Sequence, residues 1–89
     1  MESYSKSSDI TQTRALLLER LLPKYPYSVH DTVNNDIHFR TDVDGQQVEL
    51  IISLYSTLGV VQADGYDELT DRVGKEIQKE VDDIYLHYV

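Results

Sequence analysis

The chain has no cysteine and no tryptophan, and only one phenylalanine, two prolines and four glycines in 89 residues. Without cysteine there is no disulfide framework, no thiolate nucleophile and no Cys-ligated zinc or iron–sulfur site. That fits a reducing compartment, so the expected location is cytoplasmic. Cations are scarce too: eight Lys and Arg face sixteen Asp and Glu, giving a formal charge of −8 and a pI near 4.6. A surface of that sign repels polyanions, and direct binding to nucleic acid or to an anionic membrane is not expected. No apolar run approaches the roughly 18 residues needed to span a bilayer, and Met1-Glu2-Ser3-Tyr4 opens with neither a basic nor an apolar targeting segment. A chain of this length holds one domain and one core. Hydrophobic content of 40% with seven tyrosines is enough to build it.

Residues 1–8 alternate serines with Tyr4 and Lys6 and show no apolar period, so they are expected to form a flexible tail ahead of a single domain over 9–89. Asp9, three residues before Gln12, has the spacing of a capping side chain. Ile10, Leu17, Leu18 and Leu21 then fall on one arc of a helix. Pro23 biases Leu22 toward extended backbone and sets the expected end, for a helix over about 9–22. Leu16 lies on the far side of that arc.

From Tyr27 to Gln62 the apolar period drops to two. Asp44-Gly45 predicts a two-residue hairpin turn, because both residue types tolerate positive φ. That turn places Val43 across from Gln46, Thr41 from Val48, Phe39 from Leu50 and Ile37 from Ile52 on one apolar face. The opposite face then pairs Arg40 with Glu49, Asp42 with Gln47 and His38 with Ile51, and Arg40–Glu49 is expected to form a cross-strand ion pair. The preceding turn at Asn34-Asn35-Asp36 is read as a three-residue loop, which pairs Val33 with Ile37, Asp31 with Phe39 and His30 with Arg40. That choice keeps the valines inward. Val60-Val61-Gln62 is expected as a short fourth strand after a turn over 56–59.

The second helix is expected from about residue 66 to near the C-terminus, capped by Asp64 or Asp67, with Leu69, Val73, Ile77, Val81, Ile84 and Tyr88 on one stripe. Its outer side carries Glu68–Arg72, Asp71–Lys75 and Lys79–Asp83, each four apart. A meander with one apolar face and two helices with one apolar stripe each pack most economically as a two-layer α+β sandwich. The architecture is helix, antiparallel meander of three or four strands, helix, with both helices on one sheet face. The other face would display His30, Thr32, His38, Arg40, Glu49, Ile51 and Tyr55.

Several constellations suggest chemistry and fail on spacing. Asp42-Val43-Asp44-Gly45 superficially matches part of a calcium loop, but with Gly45 at position six, Arg40 falls at one and Ile51 at twelve, where carboxylates are required. His30 and His38 near Asp42 and Glu49 would suit zinc, yet Arg40 beside His30 opposes a cation. His87 near the end of the second helix reads as a favourable charge at a helix C-terminus. The pairs Asp31–His30 and Glu49–His38 could exchange protons, but no nucleophile elbow, phosphate loop or metal motif accompanies them. The expectation is no enzyme, no cofactor and no metal.

Charge is unevenly spread: residues 1–30 carry +1, 31–63 carry −4 and 64–89 carry −5. Such a surface either keeps the protein dissolved or steers a basic partner to it. Leu16, Leu86, Ile51 and Tyr55 are apolar side chains that a monomeric core does not absorb. The order helix, antiparallel strands, helix in a small acidic protein is similar to frataxin-like domains, to type III secretion chaperones and to small phage-encoded inhibitors. No residue-level motif selects among them. The expected function is a non-catalytic protein-binding module, in its most specific form an inhibitor of a basic nucleic-acid-handling protein. Its partner-binding residues would be Arg40, Asp42, Asp44, Glu49, Ile51 and Tyr55. The alternative is a structural or chaperone-like homodimer that holds another chain on its open sheet face, and a small metal-assisted or acid–base enzyme ranks last.

Overall fold

The computed structural model describes residues 2–33 and 36–88, and side chains from residue 11 onward. Its elements run α1 (Glu2–Lys24), β1 (Val29–Val33), β2 (Asp36–Val43), β3 (Gln46–Leu54), β4 (Gly59–Ala63) and α2 (Glu68–Tyr88). The four strands form one antiparallel meander in the order β1-β2-β3-β4. Both helices cover one face of this sheet, as the periodicity predicts.

The β2–β3 hairpin has the register expected from its turn, from Val43 across from Gln46 through Ile37 across from Ile52. Asp44 at φ 53° and Gly45 at φ 80° both sit in the left-handed region, as a type I′ turn requires. Side chains of opposite parity therefore part cleanly. Ile37, Phe39, Val48, Leu50 and Ile52 are buried under the helices with Leu17, Leu21, Val73, Ile77, Val81 and Ile84. Tyr25 closes this core edge-on to Phe39, at 5.6 Å between ring centroids.

The first hairpin corrects the expected register. Val33 pairs with Asp36, Thr32 with Ile37, Asp31 with His38, His30 with Phe39 and Val29 with Arg40, so two residues connect the strands instead of three. Every β1 side chain is thereby moved to the other face. Val29 and Val33 end up 47% and 48% exposed, and His30 turns to the helix side, where it stacks on Phe39 at 5.2 Å. The reason is packing: four of the five β1 residues are exposed and only His30 is partly buried, so burial does little to reward an inward valine there. Alternation specifies register only where one face is buried.

The helix ends also differ from expectation. α1 begins at Glu2 instead of Asp9, since no proline or glycine interrupts 2–22; Asp9 is interior, and the side chains of Asp9 and Ile10 lie outside the described ones. At the other end Pro23 sits in the last turn, where its missing N–H removes one bond and Tyr25 N–H still donates to Leu21 O at 2.8 Å. The inward arc of α1 is rotated from the expected one, with Thr13, Leu17 and Leu21 buried and Leu16 packed against the core. Leu16 is therefore no spare contact.

Asp67 caps α2: its Oδ2 accepts from Thr70 N–H at 2.9 Å and from Gln46 Nε2 at 2.6 Å, which ties the β3 start to the helix. Tyr88, expected on the apolar stripe, is exposed, with Arg20 6.0 Å from its ring centre. Of the expected i,i+4 pairs Asp71–Lys75 is made, at 3.1 Å. Asp83 turns instead to Arg20 of α1, at 2.6 Å. Arg20 and Lys24 also hold Glu80, so the two helices are joined by a run of opposite charges.

Two substitutions test this packing. Phe39→Ala should cost about 3–5 kcal/mol in urea denaturation, as expected for an aromatic removed from a closed core. Val33→Thr should cost under about 0.5 kcal/mol, because the two-residue loop leaves Val33 on a surface.

Candidate functional site

The face of the sheet away from the helices is built by strand parity alone. It carries Val29, Asp31 and Val33 from β1; Asp36, His38, Arg40 and Asp42 from β2; Gln47, Glu49, Ile51 and Ser53 from β3; and Val60 and Gln62 from β4. Asp64 joins it just past β4, where its N–H donates to Glu49 O at 2.9 Å. At its centre is a shallow depression of about 310 Å³, rimmed by the side chains of Asp31, Val33, His38, Arg40, Glu49, Ile51 and Asp64. Three of these seven are carboxylates, Asp31, Glu49 and Asp64, and two, Val33 and Ile51, are apolar.

Arg40 is the one Lys or Arg on this face among the described residues. Its guanidinium reaches Asp31 Oδ2 at 3.4 Å and not Glu49, the partner expected from strand pairing. The long side chain crosses to the neighbouring strand because the two-residue loop brings Asp31 onto the same face. Glu49 and Asp64 therefore have no described ion-pair partner.

The six sequence-predicted site residues are only partly brought together. Arg40, Glu49 and Ile51 line the depression. Asp42 lies beyond it, in a smaller hollow of about 170 Å³ with Tyr27, Val29 and Gln47. Asp44 is at the tip of the β2–β3 turn. Tyr55 follows the last residue of β3, about 13 Å along the strand direction from Ile51; it is 56% exposed, and its carbonyl accepts a hydrogen bond from Tyr85 OH at 2.6 Å. Asp31, Val33 and Asp64 were missed. The signal for the first two was the Asn34-Asn35 pair, since asparagine tolerates the left-handed backbone of a two-residue turn.

His30 and Thr32, expected on this face, stand on the other. The His30 Nε2 lies 2.8 Å from Ser28 Oγ, and burial pushes its pKa below the ordinary value, only partly offset by Asp31. His30 and His38 thus cannot converge on one ion, and no group of three His, Cys, Asp or Glu that could hold a metal occurs among the described residues. Other perturbed groups belong to the scaffold. Burial, with the carboxylate of Glu76 3.1 Å away, pushes the Tyr25 hydroxyl up to about 12. Hydrogen bonds from Lys24 and from Arg20 hold the Glu80 carboxyl low, and Arg20 does the same for Asp83. No helix among the described residues is long and apolar enough to cross a membrane.

Compared with protein-family models, curated proteins and solved structures, the chain matches none.

The lowered pKa of His30 gives a pH signature. Below the ordinary value of 6.5 the unfolded chain gains a proton that the folded chain resists, so stability should fall as pH drops from 6.5 toward the lower folded value. Urea midpoints measured across pH 5–8 should show this limb for the native chain and lose it in His30→Gln. An NMR titration midpoint for His30 at or above 6.5 would contradict the burial argument.

Proposed function

We propose that the protein is a non-catalytic binding module that presents its open sheet face to a basic protein partner. The observation that carries this reading is the composition of that face: Asp31, Asp36, Asp42, Glu49 and Asp64 share it with a central Ile51 and with Val33 and Val60 on its two edge strands, and Arg40 is the only Lys or Arg on it among the described residues. The carboxylates steer a cationic partner and set its orientation, while desolvation of Ile51 and its neighbours supplies affinity. The more specific form is antagonism of a basic nucleic-acid-handling protein, whose polyanion site the carboxylates would occupy. Cytoplasmic action is part of that reading. Asp42 and Asp44 extend the acidic surface toward the hairpin tip, and Tyr55 would contribute only to a partner large enough to reach the far end of β3.

The second reading is a homodimer joined through the same face, and the half-buried Ile51 favours it. Charge argues against it, because stacking two copies brings carboxylates together. The two readings part in one experiment. Protein captured from nuclease-treated lysate should be released as salt rises, since exposed charge pairs are screened. Glu49→Lys with Asp64→Lys should weaken that capture at least tenfold without lowering the unfolding midpoint. Capture indifferent to both salt and charge reversal, with a dimer that Ile51→Asp dissociates, would replace the first reading with the second.

A further inference from the structure

The two edges of the sheet are treated differently. On the β4 side the Gln78 side chain of α2 does what a neighbouring strand would do: its Oε1 accepts from Val61 N–H at 2.8 Å and its Nε2 donates to Gly59 O at 3.0 Å. Asp82 fixes that amide from the next turn, accepting from Nε2 at 3.0 Å. Gly59 makes the close approach possible, because a Cβ there would run into Val81, Tyr85 and Leu54. This edge is closed by side-chain mimicry of a β ladder.

The β1 edge is open. In a two-residue hairpin the residues flanking the loop exchange both backbone bonds, so Val33, Asp31 and Val29 point their N–H and C=O groups at β2 while those of Thr32 and His30 point outward. No described group bonds to them, and Val29, Asp31, Thr32 and Val33 are exposed. Unpaired edge groups of this kind are a template for another strand. Self-pairing is opposed by charge: the antiparallel register that aligns Val29 with Val33 of a second copy sets Asp31 directly against its own symmetry mate. Like charges directly opposite destabilise a strand pair.

We propose that β1 takes an extended, basic segment of a partner protein as a fifth antiparallel strand. Its backbone bonds to His30 and Thr32, a Lys or Arg lies across from Asp31, and apolar side chains lie across from Val29 and Val33. On the open face such a strand continues the acidic surface around Ile51, so the inference rests on the basic-partner reading and names how the partner is held.

The test uses the full chain, isotope-labelled, and a synthetic peptide of about ten residues in which every second residue reads valine, lysine, valine and the residues between are threonine, with a glutamate-for-lysine version as its control. The expected result is hydrogen-exchange protection appearing at the His30 and Thr32 amides with the lysine peptide and not with the glutamate peptide. Thr32→Pro, which removes an outward N–H at an edge where proline is tolerated, should weaken the lysine peptide at least tenfold. Wild-type amide protection keeps the test valid even if that variant folds poorly. Lysine-peptide binding that shifts Glu49, Ile51 and Val60, leaves the His30 and Thr32 amides unprotected and survives Thr32→Pro would overturn strand addition while keeping the open-face reading. Equal binding of the two peptides, or of neither, would overturn both. A β1-to-β1 dimer that excludes the peptide would overturn strand addition by a partner.

Discussion

The left-handed backbone of Asp44 and Gly45 is the constraint on which the rest of the structure depends. A side-chain period of two makes register an all-or-none choice, and this turn makes it for the two central strands. Once Val43 faces Gln46, Phe39 and Leu50 must share one face and Arg40 and Glu49 the other. The helices can cover only the apolar side, and the chemistry left in solvent is what parity puts on the opposite side. The site is thus a by-product of the core, since each residue pointing into it separates two that point into the helices.

Electrostatics acts on two levels. Between the helices, Arg20 and Lys24 of α1 pair with Glu80 and Asp83 of the acidic α2. On the open sheet face the imbalance is left uncorrected, with no ion-pair partner for Glu49 or Asp64 among the described residues. The helix–helix contact is thus compensated within the molecule, whereas the open sheet face is compensated only at Asp31 among the described residues. The edges repeat the contrast, with Gln78 sealing β4 and nothing described sealing β1.

Legibility in the sequence follows burial. The helix–meander–helix order, the β2–β3 register, the cap at Asp67 and the inward stripe of α2 were readable because each has a strong local cause: positive-φ turn residues, a side-chain acceptor three residues before an unpaired N–H, or apolar spacing over five turns. The fourth strand was readable too, though it runs from Gly59 to Ala63 and not only over 60–62. The β1 register was not, because preferring buried valines assumes a cover that β1 lacks. Of the candidate site, Arg40, Glu49 and Ile51 followed from the β2–β3 turn, whereas Asp31 and Val33 depended on the misread one. Tyr55 was placed by extending a strand that ends a residue earlier.

The sequence by itself determined an α+β fold with an acidic composition, its one-sided sheet and the segregation of Arg40, Glu49 and Ile51 from the core, because period and turn chemistry are local properties. Only the tertiary structure decided which side of β1 faces out, where Arg40 finds its carboxylate and which sheet edge is closed. Those outcomes turn on which elements touch. Helix coverage stops short of β1, which frees its register, and α2 passes close enough to β4 for one glutamine to stand in for a strand.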